Sequence, residues 1–325
     1  MSLLITGSIA TDHLMTFPGK FADSLVAEKL DKISVSFLAS DLEVRRGGVA
    51  ANIAFSLAKL GERPILVGAV GEDFAEYHSW LDRHGVDCSS VHYSETQHTA
   101  RFTCTTDTEM NQIASFYPGA MGEAREIELK PIVDRVGEPA FVLIGANDPD
   151  AMLRHTDECR QRGYRFVADP SQQLAFAGGD LIRPLIEGAD ILISNEYEAE
   201  LITSKTGWSA DEVLAKVGTW VTTLGKDGVR VQTRDGDLLE VGVVDGVTPV
   251  EPTGVGDAFR GGLLAALSRG LGWERAAQLG CTVAAYVVET VGTQEYDATR
   301  DEILTRLGGT YGADAEKEIR AALGA

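Results

Sequence analysis

The sequence predicts an α/β protein: a largely parallel sheet with helices on both faces, plus a small inserted β lid. Three observations lead there. Six short runs, Leu3–Thr6, Ile65–Val70, Phe141–Ile144, Phe166–Ala168, Ile191–Ile193 and Val221–Leu224, are mostly apolar and β-branched rather than alternating. Helical patterns such as Ala50–Leu60, Pro149–Arg162 and Glu196–Thr206 lie between many of them. Strands buried on both faces and joined through helices are what a parallel sheet requires. Two stretches then break the alternation. Residues 13–46 are mixed, with Ser34–Leu38 strand-like, and in residues 97–118 Thr99–Thr106 and Gln112–Tyr117 flank the polar loop Asp107–Asn111, as in a hairpin. The core is therefore expected over residues 1–12, 47–96 and 119–325, and the lid over 13–46 and 97–118. The charged, alanine-rich stretch Asp297–Ala325 is expected to be helical covering.

Composition narrows the function. At 325 residues with 44% apolar content, the chain can build a sizeable core without disulfides or structural metal. Its 49 acids against 29 bases give a formal charge of −20, which argues against nucleic-acid or anionic-membrane partners. Cys88, Cys104, Cys159 and Cys281 are widely separated, with no CxxC spacing, and read as thiols of a reducing compartment. The N-terminus has no basic region before Asp12 and no apolar run is long enough for a membrane helix, so the expected location is cytoplasmic.

In a parallel sheet, ligands bind beyond the carboxyl ends of the strands, and four segments there could carry chemistry. In Glu251–Gly262 (EPTGVGDAFRGG), Pro252 and the glycines mark a turn, and an apolar helix begins near Gly254–Asp257 and runs to Leu267. Glycines at a helix start let backbone N–H groups face an anion, and Asp257 sits in that first turn. A carboxylate there repels a phosphate but can take a proton from a hydroxyl attacking one; an N-capping Asp after a tight turn is the competing reading. In Arg45–Ala54, Gly47 and Gly48 lead into a helix with Asn52 one turn in, which suits close approach to a ligand or close helix–sheet packing. In Gly7–Asp12, Asp12 can accept from two sugar hydroxyls, or act as a turn residue. Asn195 and Glu198 share one face at a helix start, as Mg²⁺ and phosphate contacts or as a capping box. Gly254-Val255-Gly256 is not a dinucleotide fingerprint, since Phe259 occupies the third glycine position and the strand near Leu238–Val244 ends too early. A dinucleotide-dependent oxidoreductase is thereby disfavoured.

Together these segments resemble the PfkB (ribokinase-like) carbohydrate and nucleoside kinases over nearly the whole chain. The family's D-T-x-G-A-G-D signature is similar to Glu251–Asp257, its N-terminal glycine signature to Gly47–Asn52 and Gly68–Asp73, and its N-x-x-E motif to Asn195 and Glu198. Within the family, Gly7–His13, His98–Gly119 and Ala168–Leu174 look most similar to actinobacterial adenosine kinases. The resemblance implies a ribokinase-like fold and ATP-dependent transfer of a phosphoryl group to the 5′-hydroxyl of adenosine, giving AMP and ADP in purine salvage. By the same resemblance Asp257 is the base, and the amides of Gly254, Val255 and Gly256 form the anion hole. Ser8, Asp12, Gly48 and Asn52 hold the ribose. Gln172 and Gln173 face the nucleoside, Thr223 and Gly225 line the ATP site, and Asn195 and Glu198 serve phosphates and Mg²⁺. Glu251 stands where the family usually has Asp, in a region that helps form a monovalent-cation site, which counts against K⁺ activation. Phe176 stands where a basic residue would have helped clamp phosphate; Arg46, Arg260 and Lys226 are the other candidate cations.

A purine needs a flat apolar surface, which the lid offers in Phe102 and Phe116. If Thr106 faces Gln112 across the hairpin, the register sets Phe102 directly opposite Phe116. Either one ring stacks on the base and the other supports it, or the rings serve different sites, as in a homodimer that clasps lids. The alternatives are a ribose or fructose kinase, in which the rings only pack, and a non-catalytic nucleoside-binding protein, which would have no need of Asp257.

Overall fold

The apolar runs are apolar throughout because each strand is covered twice. Leu3 and Ile5 pack into one apolar layer with Phe55, Leu263 and Leu279, while Leu4, between them, packs into another with Met152, Ile182 and Ile202. Leu143 and its neighbours Val142 and Ile144 divide in the same way. Each such side chain, once buried, contributes roughly 1.5–3 kcal/mol.

The computed structural model describes residues 2–24 and 35–324. The strands in chain order are β1 (Leu3–Thr6), β2 (Ala10–Thr16), β3 (Asp41–Gly47), β4 (Ile65–Val67), β5 (Ala69–Val70), β6 (His92–Tyr93), β7 (Ala100–Thr106), β8 (Gln112–Tyr117), β9 (Phe141–Gly145), β10 (Phe166–Asp169), β11 (Ile191–Asn195), β12 (Thr219–Thr223), β13 (Val229–Thr233) and β14 (Leu238–Val241). The helices are α1 (Phe21–Ser24), α2 (Val49–Lys59), α3 (Ala75–Arg83), α4 (Leu129–Val136), α5 (Pro149–Arg162), α6 (Gln173–Phe176), α7 (Gly179–Ile186), α8 (Glu196–Thr206), α9 (Ala210–Lys216), α10 (Val255–Ser268), α11 (Trp273–Val288), α12 (Arg300–Tyr311) and α13 (Ala313–Leu323).

An eight-stranded sheet runs β14-β13-β12-β11-β10-β9-β1-β4, parallel from β12 to β4 with the antiparallel pair β13–β14 at one edge. The chain steps from β1 outward to β4 and later returns to the other side of β1 at β9, which makes the crevice beyond β1 and β9 the switch point where ligands bind in such sheets. The run Ile65–Val70 does not stay in one sheet: after Gly68 the chain leaves, and β5 pairs with β6.

The lid is a separate sheet, β3-β2-β7-β8. Two expectations need correction here. Two of the four core–lid boundaries, expected at residues 12/13 and 46/47, fall inside lid strands, because β2 starts at Ala10 and β3 ends at Gly47. The strand-like stretch Ser34–Leu38 contains no strand over Val35–Leu38, and Ser34 lies outside the described residues. The strand is Asp41–Gly47 instead; its charged sequence hid it, because this half-exposed sheet needs no apolar run. The hairpin register is as expected, with Phe102 opposite Phe116 and Thr106 opposite Gln112.

Small residues set the helix spacing that builds the site. A Cβ on Gly261 of α10 would come within 2.5 Å of Ser56 Cβ on α2, and one on Gly262 within 2.7 Å of Gly280 Cα on α11. Thus α10 lies close against α2, and their facing residues meet side chain to side chain. All four cysteines are buried and free. Among the described residues no helix is long and apolar enough to cross a membrane.

Candidate active site

A cleft of about 640 Å³ opens beneath the lid, beyond the carboxyl ends of the parallel strands. It is bordered by Ser8, Asp12, Gly48, Asn52, Phe102, Phe116, Gln172, Gln173, Asn195, Glu198, Thr223, Gly254, Gly256 and Asp257. The other two residues of the sequence-derived set, Val255 and Gly225, border a neighbouring apolar cavity of about 570 Å³. Thr223 and Gly256 line both. The two cavities therefore meet at the start of α10.

That helix start is built to be open. Gly254 is its N-cap at φ +76°, no side chain caps it, and a Cβ at Gly254 would strike Thr293 Cγ2 at 2.7 Å. The first-turn N–H groups lack intrahelical partners and carry the positive end of the helix dipole; Val255 N–H makes one long bond to Pro252 (3.4 Å). Asp257 sits in this turn, where Asn52 Nδ2 donates to its Oδ2 (2.8 Å). Burial pushes the Asp257 carboxyl up to about 7, against the opposing pull of Arg260 and the Asn52 hydrogen bond. One helical turn on, the buried Arg260 forks onto the fully buried Asp169 at the end of β10, with Nε–Oδ2 at 2.5 Å and Nη2–Oδ1 at 2.6 Å. The site thus holds a carboxyl poised to change charge near neutral pH beside a permanent cation.

On the acceptor side, Gly48 takes φ +94°, and a Cβ there would lie 2.6 Å from Ser8 O. Ser8 holds this turn itself: its hydroxyl accepts from Val49 N (3.0 Å) and its carbonyl from Ala50 N (3.1 Å). Asp12 lies within β2, not in a loop, and its carboxylate rests over Gly47, where a Cβ would sit 3.2 Å from Oδ2. Burial raises Asp12 to about 6, with Arg45 opposing and Glu251 and Glu295 assisting. In register, Asp12, Phe102 and Phe116 form one row across three lid strands. Beyond β10, Gln172 borders the cleft, and Gln173 Nε2 donates to the Asn147 carbonyl (2.8 Å).

Asn195 and Glu198 form a complete capping box for α8: Asn195 Oδ1 accepts from Glu198 N and Glu198 Oε2 from Asn195 N, both at 2.8 Å. The capping role is therefore real, and both residues border the cleft as well. Burial raises the Glu198 carboxyl. Among the described residues no cluster of three or more His, Cys, Asp or Glu is arranged to hold a metal. One carboxylate at a cleft wall fits Mg²⁺ that brings its own water and phosphate ligands. The Glu251 carboxylate is already engaged, by Arg45 Nη1 (3.0 and 3.2 Å) and by Gly292 N (2.9 Å). A guanidinium in that position does not fit K⁺ coordinated by this carboxylate.

Some residues at the site were not in the sequence-derived set. Arg260 was one of three candidate cations; of the other two, Arg46 stacks on Trp80 (4.0 Å) and Lys226 borders the apolar cavity. Asp169 directly follows the apolar run Phe166–Ala168, where a lone acid gives no signal that it belongs to the strand or to the site. Asn147, Thr293 and Gln294 carry no motif. Phe176 is 85% exposed at the cleft rim.

The pfkB family carbohydrate kinase model matches residues 19–300. A nucleoside kinase of Methanocaldococcus jannaschii is 30% identical over 266 residues, 80% of this chain and 85% of that one. The structure of Burkholderia thailandensis nucleoside kinase in complex with inosine is 34% identical, with a TM-score of 0.81, covering 96% of this chain and 98% of that one. The same enzyme in complex with ADP-inosine has a TM-score of 0.80 at 34% identity, covering 96% of each chain.

Proposed function

The chain belongs to the pfkB family of carbohydrate kinases, and on that footing we propose that it transfers the γ-phosphoryl group of ATP to the 5′-hydroxyl of a purine nucleoside, adenosine in the first instance, giving AMP and ADP. The observation that carries this reading is the meeting of two cavities at the open N-terminus of α10, with Asp257 in its first turn. The relatives named above are nucleoside kinases, one of them seen with inosine and with ADP-inosine.

In this reading the nucleoside lies in the polar cleft and ATP reaches in from the apolar cavity past Thr223 and Gly225. Asp12, Gly48 and Asn52 hold the ribose, and Ser8 keeps the Gly48 turn in place. Phe102 and Phe116 cover the base, and Gln172 and Gln173 meet its edge. Asp257 takes the 5′-hydroxyl proton as that oxygen bonds to the γ-phosphorus and the bond to the ADP oxygen breaks. The amides of Gly254, Val255 and Gly256 stabilise the charge on the phosphoryl oxygens, the largest contribution such sites make. Mg²⁺ bound with ATP would neutralise phosphate charge, its water shell held by Glu198 and Asn195. The outer face of the lid, which carries the exposed Leu42, Val44 and Ile113, pairs two chains into a homodimer.

The test is ATP turnover with adenosine, inosine, ribose and fructose in parallel. Preference for a purine nucleoside supports the reading. Preference for a bare sugar would return Phe102 and Phe116 to packing, and no turnover with any would favour a binding protein.

A further inference from the structure

We propose that Gln294 is a positioning residue that fixes which way the Asn52 amide faces, and so keeps an N–H donor on Asp257. The inference rests on the proposed kinase reading, in which Asp257 is the base.

An amide side chain can present either its oxygen or its nitrogen, and only its partners decide which. Asn52 is 6% exposed and Gln294 1%. Trp80 Nε1 donates to Gln294 Oε1 (3.1 Å), and an indole nitrogen can only donate. Tyr77 OH donates to the Gly47 carbonyl (3.0 Å), so its oxygen is left to accept from Gln294 Nε2 (2.6 Å). Both contacts force the same orientation on Gln294. Its Nε2 then donates to Asn52 Oδ1 (2.9 Å), with Thr293 Oγ1 also 2.9 Å from that oxygen. With Oδ1 occupied, Asn52 must turn Nδ2 toward Asp257 Oδ2 (2.8 Å). The polarity of the whole chain is set at the indole, two residues away from the base it serves. A flipped Asn52 would put its carbonyl oxygen against the carboxylate. Gln294 reaches this position from the loop between α11 and α12, and Trp80 from α3.

Removing the relay removes a hydrogen bond that favours the ionised form of Asp257. The other charged groups facing Asp257 are Arg260 on its own helix, Asp169 at the end of β10 and Glu198 on α8. Those beside Gln294 are Glu295, which accepts from its backbone N–H, and Arg46, 3.6 Å from Glu295. Gln294→Met and Trp80→Phe change no charge; Gln294→Met leaves all of these in place, while Trp80→Phe keeps a smaller ring where Arg46 stacks on the indole (4.0 Å).

The experiment is the pH profile of kcat/KM with ATP and the preferred nucleoside, for wild type, Gln294→Met and Trp80→Phe, each with a thermal melt. In wild type the rate rises with pH as Asp257 loses its proton. In Gln294→Met that limb moves up by about one to two pH units, roughly what one hydrogen bond to an ionised group is worth. In Trp80→Phe it moves the same way by less, and this milder variant serves where Gln294→Met does not fold. A limb that stays in place in the folded variants, with the rate lowered equally at every pH, would overturn the inference alone. A wild-type profile with no limb near neutral would overturn the base assignment and the inference with it.

Discussion

Replacing Asp169 by Asn separates what the buried ion pair does for the fold from what it does for the site. Arg260 is 5% exposed and Asp169 0%, with two contacts of 2.5–2.6 Å between them. Removing one partner of such a pair leaves a buried charge and costs about 3–5 kcal/mol. Unfolding 325 residues carries an entropy near 0.7 kcal/mol/K, so Tm should fall by about 4–7 °C in a calorimetric scan at pH 8. The same change acts on Asp257. The Asp169 charge pushes the Asp257 carboxyl up, and Arg260 pulls it down. Deleting that charge and freeing the guanidinium both favour ionised Asp257. The acidic limb of kcat/KM therefore moves to lower pH, opposite to the change expected for Gln294→Met. A variant as stable as wild type would refute the buried pair. A destabilised variant whose limb has not moved would refute the coupling of Arg260 to Asp257.

Asp257→Asn should raise Tm at pH 8 and leave it unchanged at pH 3. A carboxyl raised from its ordinary 3.8 to about 7 binds protons more tightly folded than unfolded, so its penalty is absent below 3.8 and fully felt above about 7. The gain is at most about 4 kcal/mol, and equal melts at pH 8 would refute the raised value. Phe116→Ala should raise KM for adenosine about 5- to 150-fold while leaving any turnover of free ribose unchanged, since base–aromatic stacking is worth about 1–3 kcal/mol; steady-state kinetics on both acceptors decides. Light scattering behind size exclusion should give twice the 34.8 kDa chain mass, and Leu42→Glu should shift it toward the single-chain value; a wild-type mass of one chain would dismiss the lid dimer.

The sheet was legible because its strands are buried on both faces, so Leu3–Thr6 or Phe141–Gly145 appear as unbroken apolar runs. The lid was only half legible. Its hairpin has a turn between two runs, but Asp41–Gly47 is polar along a half-exposed strand and gives no such signal. At the site, glycines and a first-turn Asp mark the start of α10, because an open helix terminus needs those residue types in sequence. Asp169, Thr293 and Gln294 could not be read this way. Each acts through partners that are distant along the chain, and Gln294 meets Asn52 and Tyr77 only once α2, α3 and the loop after α11 have packed together. Asn195 and Glu198 show the opposite case: their spacing specifies a capping box, and the structure forms one at the cleft wall.

The most direct measurement is nucleoside-dependent release of ADP from MgATP at pH 8, comparing wild type with Asp257→Asn. Wild type is expected to convert adenosine to AMP with one ADP released per turnover. Asp257→Asn, folded by its melt, is expected to lose about 10²–10⁴-fold in kcat, the usual contribution of a positioned general base. Adenosine-independent ADP release in wild type, or Asp257→Asn turning over at the wild-type rate, would contradict proton removal by Asp257 at the start of α10.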